Sequence, residues 1–410
     1  MTSAVTSAVA STNVVGRIAR RFGYVLGEHT RQLPVQPAPR AAHFEATLAW
    51  LLRAQDSTPD HGVAAGYQPA RRVWFPSYPE TTGYIIPTLI RIAEYLEARG
   101  DTAQAADLRA RARRMGEWEI EVQMPEGCVQ ADYLGSKPRP AVFNTGQVLF
   151  GWCALHDLDR DSAWLEPAGR AAGWLAAMQE PDGSWRRGQS PKAPAQAHTY
   201  DVRVAWALLE FHRITQDSAA RVAARRAADW TTSRQEADGW YADAALGAAA
   251  PTTHPIGYVL EGLLACHLRL GETSYLDSVR MAADALLARL TADGRLPGAF
   301  DRGWQPRARS TCLTGNAQIA IVWGWLHALE GEARYLDGVR RANHFIARTQ
   351  RLEDPDPGIR GGVKGSHPNT RGYSPIFYPN WAAKFFLDSL LLQEALEGGE
   401  VPLPHLPWCG

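Results

Sequence analysis

The chain has 410 residues, 45% of them hydrophobic and 21% charged, which is enough to bury a large core as one big domain or two ordinary ones. Its 43 lysines and arginines balance 43 aspartates and glutamates, so a formal net charge of zero gives no electrostatic ground for a nucleic-acid or membrane-surface partner. Five scattered cysteines (Cys128, Cys153, Cys266, Cys312 and Cys409) form no CxxC pair, which argues against a disulfide framework or a structural zinc site.

In chain order, residues 1–40 begin small and polar and then turn basic, without the charge, apolar run and cleavage site of a signal peptide. They are expected to be a flexible tail. Residues 41–400 are expected to form a single domain and 401–410 a second tail. No run of 18 apolar residues occurs, so no membrane span is expected; without signal-peptide order the location is expected to be cytoplasmic, and no cofactor is expected.

From residue 43 onward one pattern recurs: an apolar helix, a glutamine, then a turn. It ends at Gln55, Gln123, Gln179, Gln235 and Gln350, and the central spacing is 56 residues (179 − 123 and 235 − 179). Leu290 takes the glutamine's place in LLARLTADGRL. Such a period holds two helices and their loops. One set is amphipathic and suits an outer position: Ser162–Gln179, Ala219–Gln235, Ser274–Leu290 and Arg334–Gln350. The other is apolar on all faces and suits an inner ring: Thr82–Leu96, Thr145–His156, Val202–Ile214, Gly257–Leu270, Gly315–Leu329 and Trp381–Leu396. With His43–Gln55 as the outer partner of the last inner helix, the expected fold is an all-α, six-hairpin (α/α)6 toroid. Short stretches such as Val129–Tyr133 carry the only β signal.

Each inner helix starts with polar residues that a core role does not require. They are Glu80, Asn144, His198 with Asp201, His254, Thr314 with Asn316, and Tyr378 with Asn380. In a toroid these starts converge on one rim, where free backbone N–H groups suit anions or sugar hydroxyls. Taken singly, Asn, Asp and Thr here are ordinary N-caps. Glu80 and Asp201 form the best acid/base pair, because carboxylates facing one cavity can split their pKa values. His254 is a third acid/base candidate, and Glu261, two turns below it, either orients it or is a paired buried acid. Arg203 points away from Asp201, toward a neighbouring helix. Asn144, Asn316, Tyr378 and Asn380 are candidate hydroxyl ligands. The Gly/Pro-rich loop before the last helix carries Lys364, His367, Arg371 and Tyr373, with Lys384 one turn beyond; its cations suit an anionic substrate group. Tyr67, Trp74 and Tyr78 suit either sugar stacking or packing.

The segments PETTGYIIPTL, FNTGQVLFGW, YDVRVAWALLE, HPIGYVLEGLL, LTGNAQIAIVW and YPNWAAKFFLDSLLL together resemble bacterial polysaccharide-biosynthesis proteins of the VpsJ type, over roughly residues 70–395. That resemblance implies a carbohydrate context and brings no catalytic residues. It implies Asn where Asp201 stands, which bears on the acid/base pair. More distantly, the chain is similar to unsaturated glucuronyl hydrolases and N-acylglucosamine 2-epimerases. HPIGYVLEGLL resembles an epimerase stretch with His and Glu on one inner helix, and so implies an acid/base role for His254. QEPDGSW is similar to the glutamine-to-tryptophan repeat of squalene-cyclase-type toroids. The acidic segment that such cyclases need has no equivalent beyond DLDRD at Asp157–Asp161, which sits in a turn on the opposite rim.

Three functions are therefore weighed. The first is a carbohydrate-active hydrolase, lyase or epimerase acting on a glycan, uronic-acid-containing glycans included. The second is an isoprenoid cyclase, and the third is a non-catalytic glycan-binding protein of polysaccharide assembly.

Overall fold

A computed structural model describes residues 14–399 except 192, 194, 195, 248 and 249. The C-terminal tail with Cys409, and residues 1–13 of the N-terminal one, lie outside the described residues. Thirteen helices run among the rest: α1 (Val14–Thr30), α2 (Arg40–Asp56), α3 (Pro79–Glu97), α4 (Thr102–Val122), α5 (Val142–Asp159), α6 (Leu165–Met178), α7 (Val202–Thr215), α8 (Ser218–Ser233), α9 (Thr253–Leu270), α10 (Thr273–Leu287), α11 (Leu313–Glu330), α12 (Ala333–Thr349) and α13 (Asn380–Gly398).

The odd-numbered helices from α3 to α13 are the inner ring. Each packs on the next, and α13 returns to α3. The even-numbered helices lie outside them, and α2 closes the circle by packing on α13. The chain is thus an (α/α)6 toroid. α7 starts at Val202, as the apolar pattern suggests, and the other five inner helices start earlier; in α3 and α9 the first turn holds Pro79 and Pro255, where proline's missing N–H costs nothing. Glu80, His254 and Asn380 therefore lie inside first turns rather than before them.

The recurring glutamine explains how the hairpins are tied. Gln179 Nε2 donates to Gly183 O of its own turn at 3.0 Å and to Ala223 O of the next outer helix at 2.8 Å. Gln123 does the same with Gly127 O and Pro167 O, and Gln235 with Gly239 O and Ser278 O. Gln350 reaches Gly361 O and Thr47 Oγ1, and so fastens the last turn to α2. The turn needs glycine: Gly183 has φ +93°, and a Cβ there would meet Arg226 O at 2.3 Å. Where Leu290 interrupts the series, Asn316 of the following inner helix supplies the amide, donating to Gly294 O at 3.1 Å and Ala342 O at 3.3 Å.

Several tryptophans are structural. Trp50, Trp152, Trp185 and Trp323 are buried, and each indole N–H donates to a backbone carbonyl. Short antiparallel pairings organise the rim: Gly66–Gln68 lies between Val73–Trp74 and Tyr378–Pro379, with Tyr67 opposite both Trp74 and Tyr378. Within Val129–Tyr133, Gln130 makes a single bridge, to Pro140.

One expectation is corrected. Residues 14–30, placed in the flexible tail, form α1 and dock on the ring. Glu28 is buried and pairs with Lys364 Nζ at 2.6 Å, and Tyr24 donates to Tyr378 at 3.2 Å. A basic, outwardly apolar segment gives no helix-in-a-core signal, so its two anchoring residues were invisible until their partners were known.

Candidate active site

The N-terminal rim of the inner ring gathers a carboxylate, an acid and a histidine among tyrosines. Glu80, in the first turn of α3, is half-buried, and the Tyr78 hydroxyl donates to its Oε2 at 2.5 Å. Burial and then the Glu80 charge hold the Tyr78 phenol far above its usual pKa, so it stays a neutral donor. Burial raises Tyr84 of α3, Tyr200, Tyr258 of α9 and the loop residue Tyr373, and the Glu80 charge adds to each, so it sits within electrostatic reach of all four.

Asp201 ends a short 3₁₀ turn (Thr199–Asp201) that leads into α7. It is 2% exposed. Gln189 Nε2 donates to its Oδ2 at 2.8 Å, the His198 backbone also hydrogen-bonds the carboxyl, and Oδ1 has no close hydrogen-bond partner among the described residues. Burial pushes its pKa up to about 8, so the carboxyl is largely protonated at neutral pH. His198, three residues earlier, stacks on Tyr200 with centroids 4.9 Å apart.

His254 lies in the first turn of α9, between Tyr258 and Tyr373 at ring-centroid distances of 4.4 and 5.1 Å. Its Nδ1 is 2.6 Å from Gln318 Oε1, and burial drops its pKa to about 3, so it is neutral. The Gln318 amide is oriented from its other end, because its Nε2 donates to Glu261 Oε2 at 3.4 Å. With Oε1 facing His254, the hydrogen-bond network assigns the proton to Nδ1 and leaves Nε2 as a lone-pair acceptor. Glu261 is paired in turn by Arg203, which also donates to Gln147 Oε1 at 2.8 Å. One polar chain thus crosses α5, α7, α9 and α11 beneath the rim. The Arg203 guanidinium lies 4.9–5.6 Å from the rings of Trp206, Tyr258, Phe385 and Phe150.

Of the expected hydroxyl and anion ligands, most are spent elsewhere. Asn144 donates to Gln130 O at 3.1 Å, Asn380 to Ala64 O at 3.0 Å, and Asn316 ties the turn after α10. These amides hold neighbouring segments: Asn380 also donates to Thr81 Oγ1 of α3 at 2.7 Å, and Asn144 has a side-chain hydrogen bond with Tyr78, the donor to Glu80. Tyr378 points toward α1. Lys364 is neutralised by Glu28. Lys384 pairs with Asp388 at 2.8 Å, and Asp388 also accepts from Arg91 at 2.8 Å. Burial lowers Lys384 to about 8; burial works against the Asp388 carboxylate too, but Lys384 and Arg91 more than offset it and keep its pKa low. His367 sits 5.8 Å from Phe345 of α12, outside the ring, and burial lowers it to about 4. Arg371 is exposed, with no ion-pair partner among the described residues. Arg203 and Glu261 are each other's partners. DLDRD is occupied as well: Asp157 pairs with Arg213 and Asp159 with Arg113.

Gln189, Gln318 and Gln147 escaped sequence reasoning. The available signal was a glutamine inside helices with no solvated face, at Gln147 and Gln318, where an amide must find a buried partner.

No protein-family model matches the chain, and no curated protein matches it in sequence. Solved structures do. An unsaturated glucuronyl hydrolase specific for heparin aligns with TM-score 0.68 and 15% identity over 87% of this chain and 97% of its own. A cellobiose 2-epimerase from Bacillus thermoamylovorans aligns with TM-score 0.65 and 10% identity over 87% and 98%. A D-mannose isomerase aligns with TM-score 0.65 and 11% identity over 88% and 99%. At these identities the likeness is one of fold: the chain shares the six-hairpin toroid of these carbohydrate enzymes.

Proposed function

We propose that the chain is a carbohydrate-active enzyme, a hydrolase, lyase or epimerase that moves protons at the N-terminal rim of the toroid. The observation that carries this reading is a matched pair on adjacent inner helices. Asp201 holds a proton, and its Oδ1 has no close hydrogen-bond partner among the described residues; His254 is neutral, its tautomer set by Gln318, which leaves Nε2 to accept. In this reading Asp201 is the acid, His254 the base, and Glu80 with its surrounding tyrosines binds or stabilises the sugar ring. Half-buried Phe143, Tyr373 and Trp381 offer aromatic faces for it. Arg371 remains the candidate for an anionic group on the glycan.

The sequence resemblance to polysaccharide-biosynthesis proteins and the fold of the structural neighbours support a glycan substrate. An isoprenoid cyclase is disfavoured. Below the rim, the space between Trp206, Glu261 and Trp325 is a cavity of only about 10 Å³, next to the charged Arg203 pair.

The test is a substrate screen with unsaturated uronyl oligosaccharides, saturated glycans and reducing disaccharides, followed by NMR for cleavage or epimerisation. Turnover lost in Asp201→Asn and His254→Ala, with glycan affinity kept, supports the assignment. Turnover unchanged in both variants sinks it. Glycan binding without turnover by the wild-type protein selects the non-catalytic alternative.

A further inference from the structure

Helix α1 lies outside the ring and is fastened mainly by its Tyr24–Glu28 face, with His29 at its C-terminal end also bonded to Thr370 Oγ1 at 2.9 Å. Tyr24 OH accepts from Asn369 Nδ2 at 2.8 Å, and Glu28 takes the Lys364 ammonium and the Asn369 N–H. A different face is apolar and open. Ile18, Phe22 and Leu26 are 63%, 68% and 51% exposed. Their i, i+4, i+8 spacing makes one stripe, turned about 140° from the Tyr24–Glu28 face at 100° per residue. A surface helix ordinarily buries such a stripe. Here the inward face is anchored by polar contacts, and the stripe is left to the outside.

The charge between the stripe and the body of the protein has one sign, with Arg21 about 100° and Arg17 about 140° from the stripe's centre at 100° per residue. Arg17, Arg21 and Arg71 line a cleft of about 420 Å³ between α1, the Gly66–Trp74 hairpin and the loop that carries Thr370 and Ile376. No carboxylate lines this cleft, and none of the three arginines has an ion-pair partner among the described residues. Elsewhere exposed arginines find acids, as in Arg225 with Glu272 and Arg340 with Glu397. The zero net charge of the whole chain conceals this local asymmetry.

We propose that the outer face of α1 and the adjoining arginine cleft form a docking surface for an anionic lipid bilayer. The Ile18–Phe22–Leu26 stripe enters the boundary between headgroups and acyl chains, and Arg17, Arg21 and Arg71 face lipid phosphates. An apolar stripe flanked by arginines is the chemistry of helices that lie in the membrane interface. No helix among the described residues is long and apolar enough to cross a membrane, so the attachment is peripheral. The loop walling the cleft also carries Tyr373, which packs on His254, so docking sets the rim beside the bilayer.

The test is flotation of the full chain with vesicles of phosphatidylcholine alone and of phosphatidylcholine with phosphatidylglycerol. The chain should float with the anionic vesicles only, and less so as salt rises. The combined Ile18→Ser, Phe22→Ser and Leu26→Ser variant should lose at least about tenfold in partitioning with an unchanged Tm. Arg17→Gln, Arg21→Gln and Arg71→Gln should each cost on the order of fivefold. Absence of wild-type flotation overturns the proposal. So does a serine variant that still floats, a serine-sensitive dimer that ignores vesicles, or equally tight, stripe-independent binding to a soluble sulfated polysaccharide.

Discussion

Gln318 faces His254 and Glu261 at once, with Oε1 2.6 Å from the imidazole Nδ1 and Nε2 3.4 Å from the carboxylate. The carboxylate therefore orients the amide, and the amide decides which nitrogen of the imidazole carries the proton. This is a positioning role, because Gln318 itself is fully buried beneath the rim.

Gln318→Leu should release the tautomer and lower kcat roughly 10²- to 10⁴-fold, with KM little changed. The imidazole ¹⁵N chemical shifts should change from a single Nδ1–H tautomer to a mixture. A variant with wild-type shifts and wild-type kcat would show that the amide orients nothing.

Asp201 makes a pH prediction with a definite sign. Its folded pKa of about 8 exceeds the roughly 3.9 of an unfolded aspartate, so the folded state holds an extra proton between them. Its stabilising contribution is complete below the lower value and is lost as pH rises through the upper one. Asp201→Asn should therefore gain Tm relative to wild type as pH climbs from acidic to alkaline. Wild-type turnover should fall above pH about 8. A Tm difference that does not vary with pH would show that the carboxyl is ionised in the fold.

His254 has the opposite sign. Its folded pKa of about 3 lies below the roughly 6.5 of a free histidine, so its contribution is present above the upper value and fades as pH falls toward the lower. His254→Asn should resist acid better than wild type, as read by the acid midpoint of near-UV circular dichroism.

Arg203 and Glu261 form a buried pair in which removing one partner strands the other. Arg203→Leu should destabilise by about 3–5 kcal/mol in urea unfolding, and adding Glu261→Leu should recover most of that loss. Additive penalties in the double variant would argue that the two side chains do not interact.

Asn316→Leu should cost about 1–3 kcal/mol, because two carbonyls lose their donor, while leaving turnover of the folded fraction intact. Pairing it with Leu290→Gln should restore stability if asparagine and glutamine serve the same turn. Loss of turnover in a fully folded Asn316→Leu variant would place this residue in the site after all.

The ring was legible because its period is written locally, in a glutamine, a glycine turn and helices without a solvated face. Glu80, Asp201 and His254 were visible as polar residues where a buried helix needs none. The use of Asn144, Asn316 and Asn380 was not, because their partners lie in adjacent segments brought near by closure of the ring. Lys364 and Lys384 looked like anion ligands for a related reason: a lysine announces its charge, but the acid that neutralises it is known only from the fold. Glu28 was hidden furthest, in a segment whose composition resembles a tail.

The clasp between α2 and α13 has a consequence for biosynthesis. Arg40 and Glu397 meet at 2.6 Å although 357 residues separate them along the chain. During translation the hairpins can stack one by one as they leave the ribosome, but the circle stays an open crescent until its last inner helix emerges. Throughout that interval the concave wall, whose arginines, lysines and carboxylates are meant to satisfy one another across the axis, remains wet and incomplete. The nascent crescent, more than the finished ring, is where this protein is exposed to misassembly and where a chaperone would have most to hold.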